Sequence, residues 1–255
     1  QRRGVHDRKK LRQLTARAMS GLRPVRNGKT VLTLAPEAVE PGFIRKLVEM
    51  GFIVCAGHSD ASYEDTIAAL EQGLSGFTHL YNAMSQLGAR EPGVVGAALD
   101  DRDSWCGVIA DGHHVSPVSL RIAYRCKGPG RIMLVSDAMP PVGSSVTRFR
   151  LLDKAIEVVD GVCRDQHGTL AGTALDMASA VRNMMRLARI GLPEAVSMAS
   201  RNPATFLGLE SVTGSIEVGK HADLLVADED LGIQSTWMRG RLQYDANNPG
   251  TIWGQ

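Results

Sequence analysis

Two short stretches of this 255-residue chain carry residue types suited to hydrolytic chemistry: Ala56-Gly57-His58-Ser59 and Thr78-His79-Leu80-Tyr81-Asn82-Ala83-Met84. Each ends an apolar run with a histidine and then turns polar. In a parallel α/β protein the C-terminal ends of strands converge on the ligand, so two such histidines can share one metal ion. Further apolar runs end at Glu37, at Asp111 followed by His114, and at Asp137. A single polar residue at a strand end can simply cap a helix or face water; a series of them points to a site. Two neutral imidazoles suit Zn²⁺, or Fe²⁺, Mn²⁺ or Co²⁺, and such an ion needs at least one more protein ligand and an open position for water. An unpaired aspartate at a later strand end, Asp137, is the expected general base for that water.

The elements that must position these residues follow from hydrophobic periodicity. Strands are expected at 31–34, 52–56, 76–80, 105–110 and 131–136. A helix at 42–50 carries Ile44, Leu47 and Val48 on one face, with Gly51 placed to end it. Another begins at Ser62, where Asp65 completes a capping box and Gly73 is the stop. A third begins at Ser116-Pro117, the usual N-cap and N1 pair. Strand and helix alternate, which argues a parallel sheet. The Gly- and Pro-containing stretch 84–96 reads as a loop. Beyond Asp137 residues 149–162 alternate, and Asp160-Gly161 is a hairpin signal, so an insertion is expected there. Helices resume at 175–190, 193–200 and 204–207, with Gly191 and Gly208 as stops, and the tail from 214 to 240 reads as a small β module. At the other end a basic segment, 1–27, predicts a helix over 10–19 capped by Asp7; His6, just before it, reads on its own as a surface residue.

Bulk properties narrow the function classes. A hydrophobic content of 44% is that of a globular core, and 29 basic against 27 acidic residues leave no electrostatic footprint for nucleic acid or anionic lipid. Cys55, Cys106, Cys126 and Cys163 form no CxxC pair, and reduced thiols in a cytoplasm are the simplest expectation. No apolar run of about 18 residues is present to span a membrane, and the first residues have no signal-peptide core. Residues 161–172 hold several glycines but no nucleotide-binding fingerprint, and Ser59, Ser85 and Ser136 lack a nucleophile-elbow context. Met177, Met184, Met185 and Met198 fall on apolar helical faces and read as core.

Six motifs together resemble one family. Ala35-Pro36-Glu37, Ala56-Gly57-His58-Ser59, Thr78 through Met84, Arg90-Glu91-Pro92-Gly93, Ile109-Ala110-Asp111-Gly112-His113-His114 and Ser136-Asp137-Ala138 resemble, in type and spacing, the N-acetylglucosamine-6-phosphate deacetylases of the amidohydrolase superfamily. The resemblance runs from the first residues to about Gly240. It implies a metal-dependent hydrolase on a (β/α)8 TIM barrel with a small β-sandwich, releasing acetate from N-acetyl-D-glucosamine 6-phosphate. His58 and His79 would be metal ligands, and Asp137 would take a proton from the attacking water and return it to the leaving amine. His114 would contact the sugar, Asn82 and the Ala83 N–H would bind phosphate, and His6 would join the substrate pocket. Arg90 would reach the phosphate of the neighbouring subunit across a homodimer.

The departures from the family pattern matter as much. Its Leu-Glu-Gly-Pro motif, whose glutamate is the third metal ligand, has no counterpart here, and Glu37 is a poor stand-in. The chain also lacks an initiator methionine. The expectation is therefore the C-terminal portion of the barrel, about five βα units over residues 1–210, followed by part of the β-sandwich over 211–255. Such a piece alone is expected to bind metal weakly or not at all. Two other functions stay open: a related amidohydrolase acting on another N-acyl amino sugar phosphate or a cyclic amide, and a non-catalytic remnant.

Overall fold

The computed structural model describes residues 2, 4, 6, 9 and 11–248. Five apolar runs form strands β1 (Thr30–Leu34), β2 (Phe52–Ala56), β3 (Gly76–Phe77), β4 (Trp105–Val108) and β5 (Ile132–Leu134). They pair in chain order, all parallel, with Thr30 opposite Phe52 and Cys106 opposite Ile132 fixing the register. Helices α2 (Phe43–Glu49), α3 (Tyr63–Glu71), α4 (Gly93–Asp100) and α5 (Pro117–Lys127) make the crossovers. Sequential parallel strands joined by helices are the repeating unit of a (β/α)8 barrel, and the sheet is an open portion of one.

Burial grades across this sheet. Every residue of β4 and β5 is buried, whereas β1 alternates between half-buried and exposed. The buried side is closed by α6 (Met177–Ala188), α7 (Leu192–Ala199) and α8 (Arg201–Phe206), all of which contact β5. Leu47, Val54, Phe77, Val108, Leu120, Ile132, Met184 and Met198 belong to one continuous core. Asn202 of α8 donates from Nδ2 to the carbonyls of Pro129 and Ile132, 2.7 Å each, and so fixes the entry into β5. Gly76 gives room for α8: a Cβ there would lie 3.1 Å from both Phe206 Cε2 and Cys55 Sγ. At the far end of α5, the buried Lys127 donates to the Asp101 carbonyl and to Ser104 Oγ, tying that helix to the turn after α4.

After β5 the chain leaves the barrel pattern for a four-stranded antiparallel sheet, β6 (Arg148–Leu151), β7 (Lys154–Val159), β8 (Val162–Asp165) and β9 (Leu170–Thr173). Asp160 (φ 51°) and Gly161 (φ 76°) form the β7–β8 hairpin, both left-handed as a type I′ turn requires. The insertion grips the end of β5: the Thr173 N–H donates to the Asp137 carbonyl and the Met139 N–H to the Thr173 carbonyl, each at 2.9 Å. The tail forms an antiparallel meander of β10 (Leu224–Ala227), β11 (Ile233–Met238) and β12 (Arg241–Asp245). Among the described residues no helix is long and apolar enough to cross a membrane.

Four local expectations need correction. The first helix, α1 (Ala16–Ser20), is shorter than 10–19 and is capped by Thr15, whose Oγ1 accepts from the Ala18 N–H at 3.3 Å; Asp7 and Lys10 lie outside the described residues. The stretch 84–96 is not all loop, because α4 starts at Gly93 and buries every residue from there to Leu99. Burial on all sides supplies what propensity withholds from Gly-Val-Val-Gly. Gly191 is the N-cap of α7 rather than a stop, and α6 ends on Arg189 in left-handed conformation (φ 61°). Finally β3, β4 and β5 end two or more residues early; at β3 the left-handed His79 (φ 38°) lies beyond the last ladder pair, Ala56–Phe77.

Candidate active site

His58 follows β2 by two residues and His79 follows β3 by two, so parallel pairing of neighbouring strands sets the two histidines side by side. Their Nε2 atoms face each other at 3.1 Å, with the rings near perpendicular. Two nitrogens bound to one tetrahedral Zn²⁺ at 2.0–2.1 Å would stand about 3.3 Å apart. The pair therefore fits a shared ion. His58 Nδ1 lies 3.1 Å from the Arg2 carbonyl, and a proton donated there leaves Nε2 as the lone-pair nitrogen. His79 is 8% exposed, and its Nδ1 is buried with no hydrogen-bond partner among the described residues. Burial holds the pKa of both below the usual 6.5, reinforced at His58 by the neighbouring His79 and His6 imidazoles. Neutral imidazole is the form that ligates. Among the described residues no group of three or more His, Cys, Asp or Glu side chains is placed to hold a metal, so the donor set on them is two imidazoles.

Of the ten described non-glycine residues with positive φ, five lie at this place. His58 (φ 51°), His79 (φ 38°), Tyr81 (φ 75°), Ala83 (φ 48°) and Asp137 (φ 50°) all adopt the left-handed conformation that side chains disfavour. Each costs on the order of 1–3 kcal/mol, and such residues cluster where function dictates the geometry.

The other expected residues divide into two groups. His6 remains exposed but packs edge-on against His58, ring centroids 4.8 Å apart, at the border of the site. Asp137 is exposed beyond β5, and its carboxylate accepts no hydrogen bond among the described residues. His114 is anchored: its Nδ1 lies 2.6 Å from Asp111 Oδ2, while Asp111 Oδ1 accepts the N–H groups of His113 and His114 at 2.8 Å. Asn82 sits in a tight turn, its N–H donating to the His79 carbonyl at 2.9 Å and its side chain to the Leu80 carbonyl at 3.3 Å. Ala83 follows in the same turn, its carbonyl accepting the Ser59 N–H at 3.1 Å. Arg90 is not brought in; it is exposed and makes no hydrogen bond or ion pair among the described residues.

Glu37 is not aimed at the histidines as a ligand. Its Oε2 accepts from Ser59 Oγ and its Oε1 from the Asp60 N–H, both at 2.6 Å. Asp60 in turn takes Arg2 Nε at 2.8 Å, which places the Arg2 carbonyl under His58. No local pattern in the sequence announces these contacts, since the partners are 22, 23, 58 and 56 residues apart.

Burial alone would push the Asp111 carboxyl up, but the His114 ring and the two N–H donors outweigh it, and its pKa lies below the usual 3.8. A carboxylate held below its unfolded value adds stability that is complete above that value and lost as pH falls through the folded one. Asp111→Asn is therefore expected to flatten the fall in melting temperature below about pH 4. The same change sets an amide group, in place of a carboxylate oxygen, against the His114 ring and should alter its tautomer. Thermal melts from pH 3 to 7 and NMR of the imidazole nitrogens check the two effects separately.

Comparison with known proteins bears on the family and the fold. The model of the amidohydrolase family matches residues 6–248. An N-acetylgalactosamine-6-phosphate deacetylase of Shewanella sp. is 45% identical over 96% of this chain and 62% of its own length. The crystal structure of N-acetylglucosamine-6-phosphate deacetylase from Pasteurella multocida superposes with a TM-score of 0.91 at 36% identity, over 95% of this chain and 64% of that one. A mutant of the Mycobacterium smegmatis N-acetyl-D-glucosamine-6-phosphate deacetylase, in complex with N-acetyl-D-glucosamine-6-phosphate, gives 0.84 at 32% identity over 94% and 65%. The chain thus spans a little under two thirds of the length of these relatives. On the strength of the match over residues 6–248, the chain belongs to the amidohydrolase family.

Proposed function

We propose that the protein hydrolyses the acetamide of an N-acetylhexosamine 6-phosphate, giving the amino sugar phosphate and acetate. The observation that carries this reading is the His58–His79 pair, Nε2 to Nε2 at 3.1 Å on two adjacent strand ends, in a chain whose relatives bear deacetylase names. A divalent ion held by the two imidazoles, Zn²⁺ first by ligand type, would polarise the acetyl carbonyl and acidify the attacking water. Asp137 removes a proton as the water oxygen bonds to the acyl carbon, and delivers it to nitrogen as the C–N bond breaks. Its exposed, unencumbered carboxylate suits both transfers. His114, fixed by Asp111, keeps Nε2 free for a sugar hydroxyl or the acetyl oxygen. His6 walls the pocket beside His58.

Asn82 and the Ala83 N–H take the phosphate, and Arg90, exposed and unpaired among the described residues, serves the partner subunit of a homodimer. The four free cysteines suit a reducing compartment such as the cytoplasm. The relatives' names divide between gluco and galacto sugars, so the class proposed is the 6-phosphate of either epimer. Acetate release by the full-length protein from both phosphorylated epimers and both free sugars, with Zn²⁺ supplied, tests the assignment. Release from a 6-phosphate alone supports it; release from neither, or preference for a free sugar, overturns it.

A further inference from the structure

Ser59 is fully buried between the two loops that bear the site. It follows His58 directly, and its backbone forms a parallel bridge with Met84: the Ser59 N–H donates to the Ala83 carbonyl at 3.1 Å and the Ser85 N–H to the Ser59 carbonyl at 3.0 Å. The loop of the metal histidine and the turn of Asn82 and Ala83 are thereby one hydrogen-bonded unit. A carboxylate from the turn after β1 fastens that unit at its Ser59 end. Glu37 takes Ser59 Oγ on one oxygen and the Asp60 N–H on the other, both at 2.6 Å. Charge-assisted hydrogen bonds of this length are the strong kind. Through Asp60 the same anchor reaches Arg2, whose carbonyl sits 3.1 Å from His58 Nδ1.

We propose that Glu37 is a positioning residue that sets the His58 ligand and the Asn82–Ala83 phosphate contact together, through Ser59 and Asp60. The inference rests on the roles given above to His58, Asn82 and Ala83, and it predicts two losses from one change. Glu37→Ala should weaken Co²⁺ binding about 10- to 100-fold, the range for removing an outer partner of a metal histidine. The same variant should raise KM for the sugar 6-phosphate by a similar factor, although Glu37 touches neither ion nor phosphate.

Glu37→Gln separates positioning from charge, because the amide still accepts from Asp60 and can donate to a turned Ser59 hydroxyl. It should restore Co²⁺ affinity and KM to within a few-fold of the parent. Ser59→Ala should weaken both less than Glu37→Ala, and the double variant should be no worse than Glu37→Ala alone, as for residues acting through one contact. Amide hydrogen exchange supplies a readout that needs neither metal nor substrate: Ser59, Asp60 and Ser85 should lose protection in Glu37→Ala while Thr66 in α3 keeps it.

Unchanged exchange at Ser85 in Glu37→Ala would overturn the proposal, as would a Glu37→Gln variant as impaired as Glu37→Ala, or fully additive losses in the double variant. If the parent releases no acetate, the deacetylase reading fails, while the exchange and Co²⁺ results still decide the role of Glu37.

Discussion

His79→Ala is expected to weaken divalent-metal binding by more than about 100-fold, beyond the loss from any outer partner, and to abolish acetate release. His79 is the better buried of the pair, and among the described residues its Nε2 faces only His58. Truncation leaves one imidazole, and a single neutral nitrogen among the described residues cannot hold an ion that catalytic sites bind with three protein ligands. Folding should tolerate the change better than its burial suggests. Loss of packing around the ring is offset by removal of Nδ1, a buried polar atom with no hydrogen-bond partner among the described residues, and a stranded group of that kind costs about 1–3 kcal/mol. Metal titration followed by a melt of the metal-free protein measures both. Stoichiometric metal retained in His79→Ala would remove this residue from the site.

Asp137→Asn should separate chemistry from binding. Turnover is expected to fall about 10²- to 10⁴-fold, the span that a positioned acid–base group contributes, with metal affinity and melting temperature near those of the parent. The exposed carboxylate holds no hydrogen bond among the described residues, while its backbone carbonyl, bonded to Thr173, is untouched by the change. A fall in metal content that parallels the fall in turnover would instead make Asp137 a ligand.

The parallel sheet was legible because its strands are short runs of apolar residues closed by glycine or a polar turn. Phe52 to Ala56 is a clear case, and the Ser62–Asp65 capping box forms as the pattern implies. Helix α4 was not legible, since Pro92, Gly93 and Gly96 favour a turn locally. Its Gly96 is needed because a Cβ there would clash with Pro92 Cβ four residues back and stand 3.2 Å from Leu87 Cδ1.

At the candidate site the histidines could be read from strand-end position, and His58 with His79 does come together. Glu37, which read only as a poor stand-in ligand, is committed elsewhere for a physical reason. A carboxylate at a strand end is equally suited to bind a cation or to collect donors from a neighbouring loop, and its Ser59 and Asp60 partners are distant in sequence. His6 is the complementary case, an exposed residue at the edge of a basic segment that meets His58 only through folding.

The left-handed residues at 58, 79 and 137 also bear on how this sequence responds to selection. Glycine would occupy all three backbone positions without strain, so a screen that rewards thermal resistance alone should enrich glycine there. The sturdier chain would be chemically silent. Gains from laboratory evolution of stability are therefore best sought away from the strand ends, at positions where retaining function does not require a conformation the side chain resists.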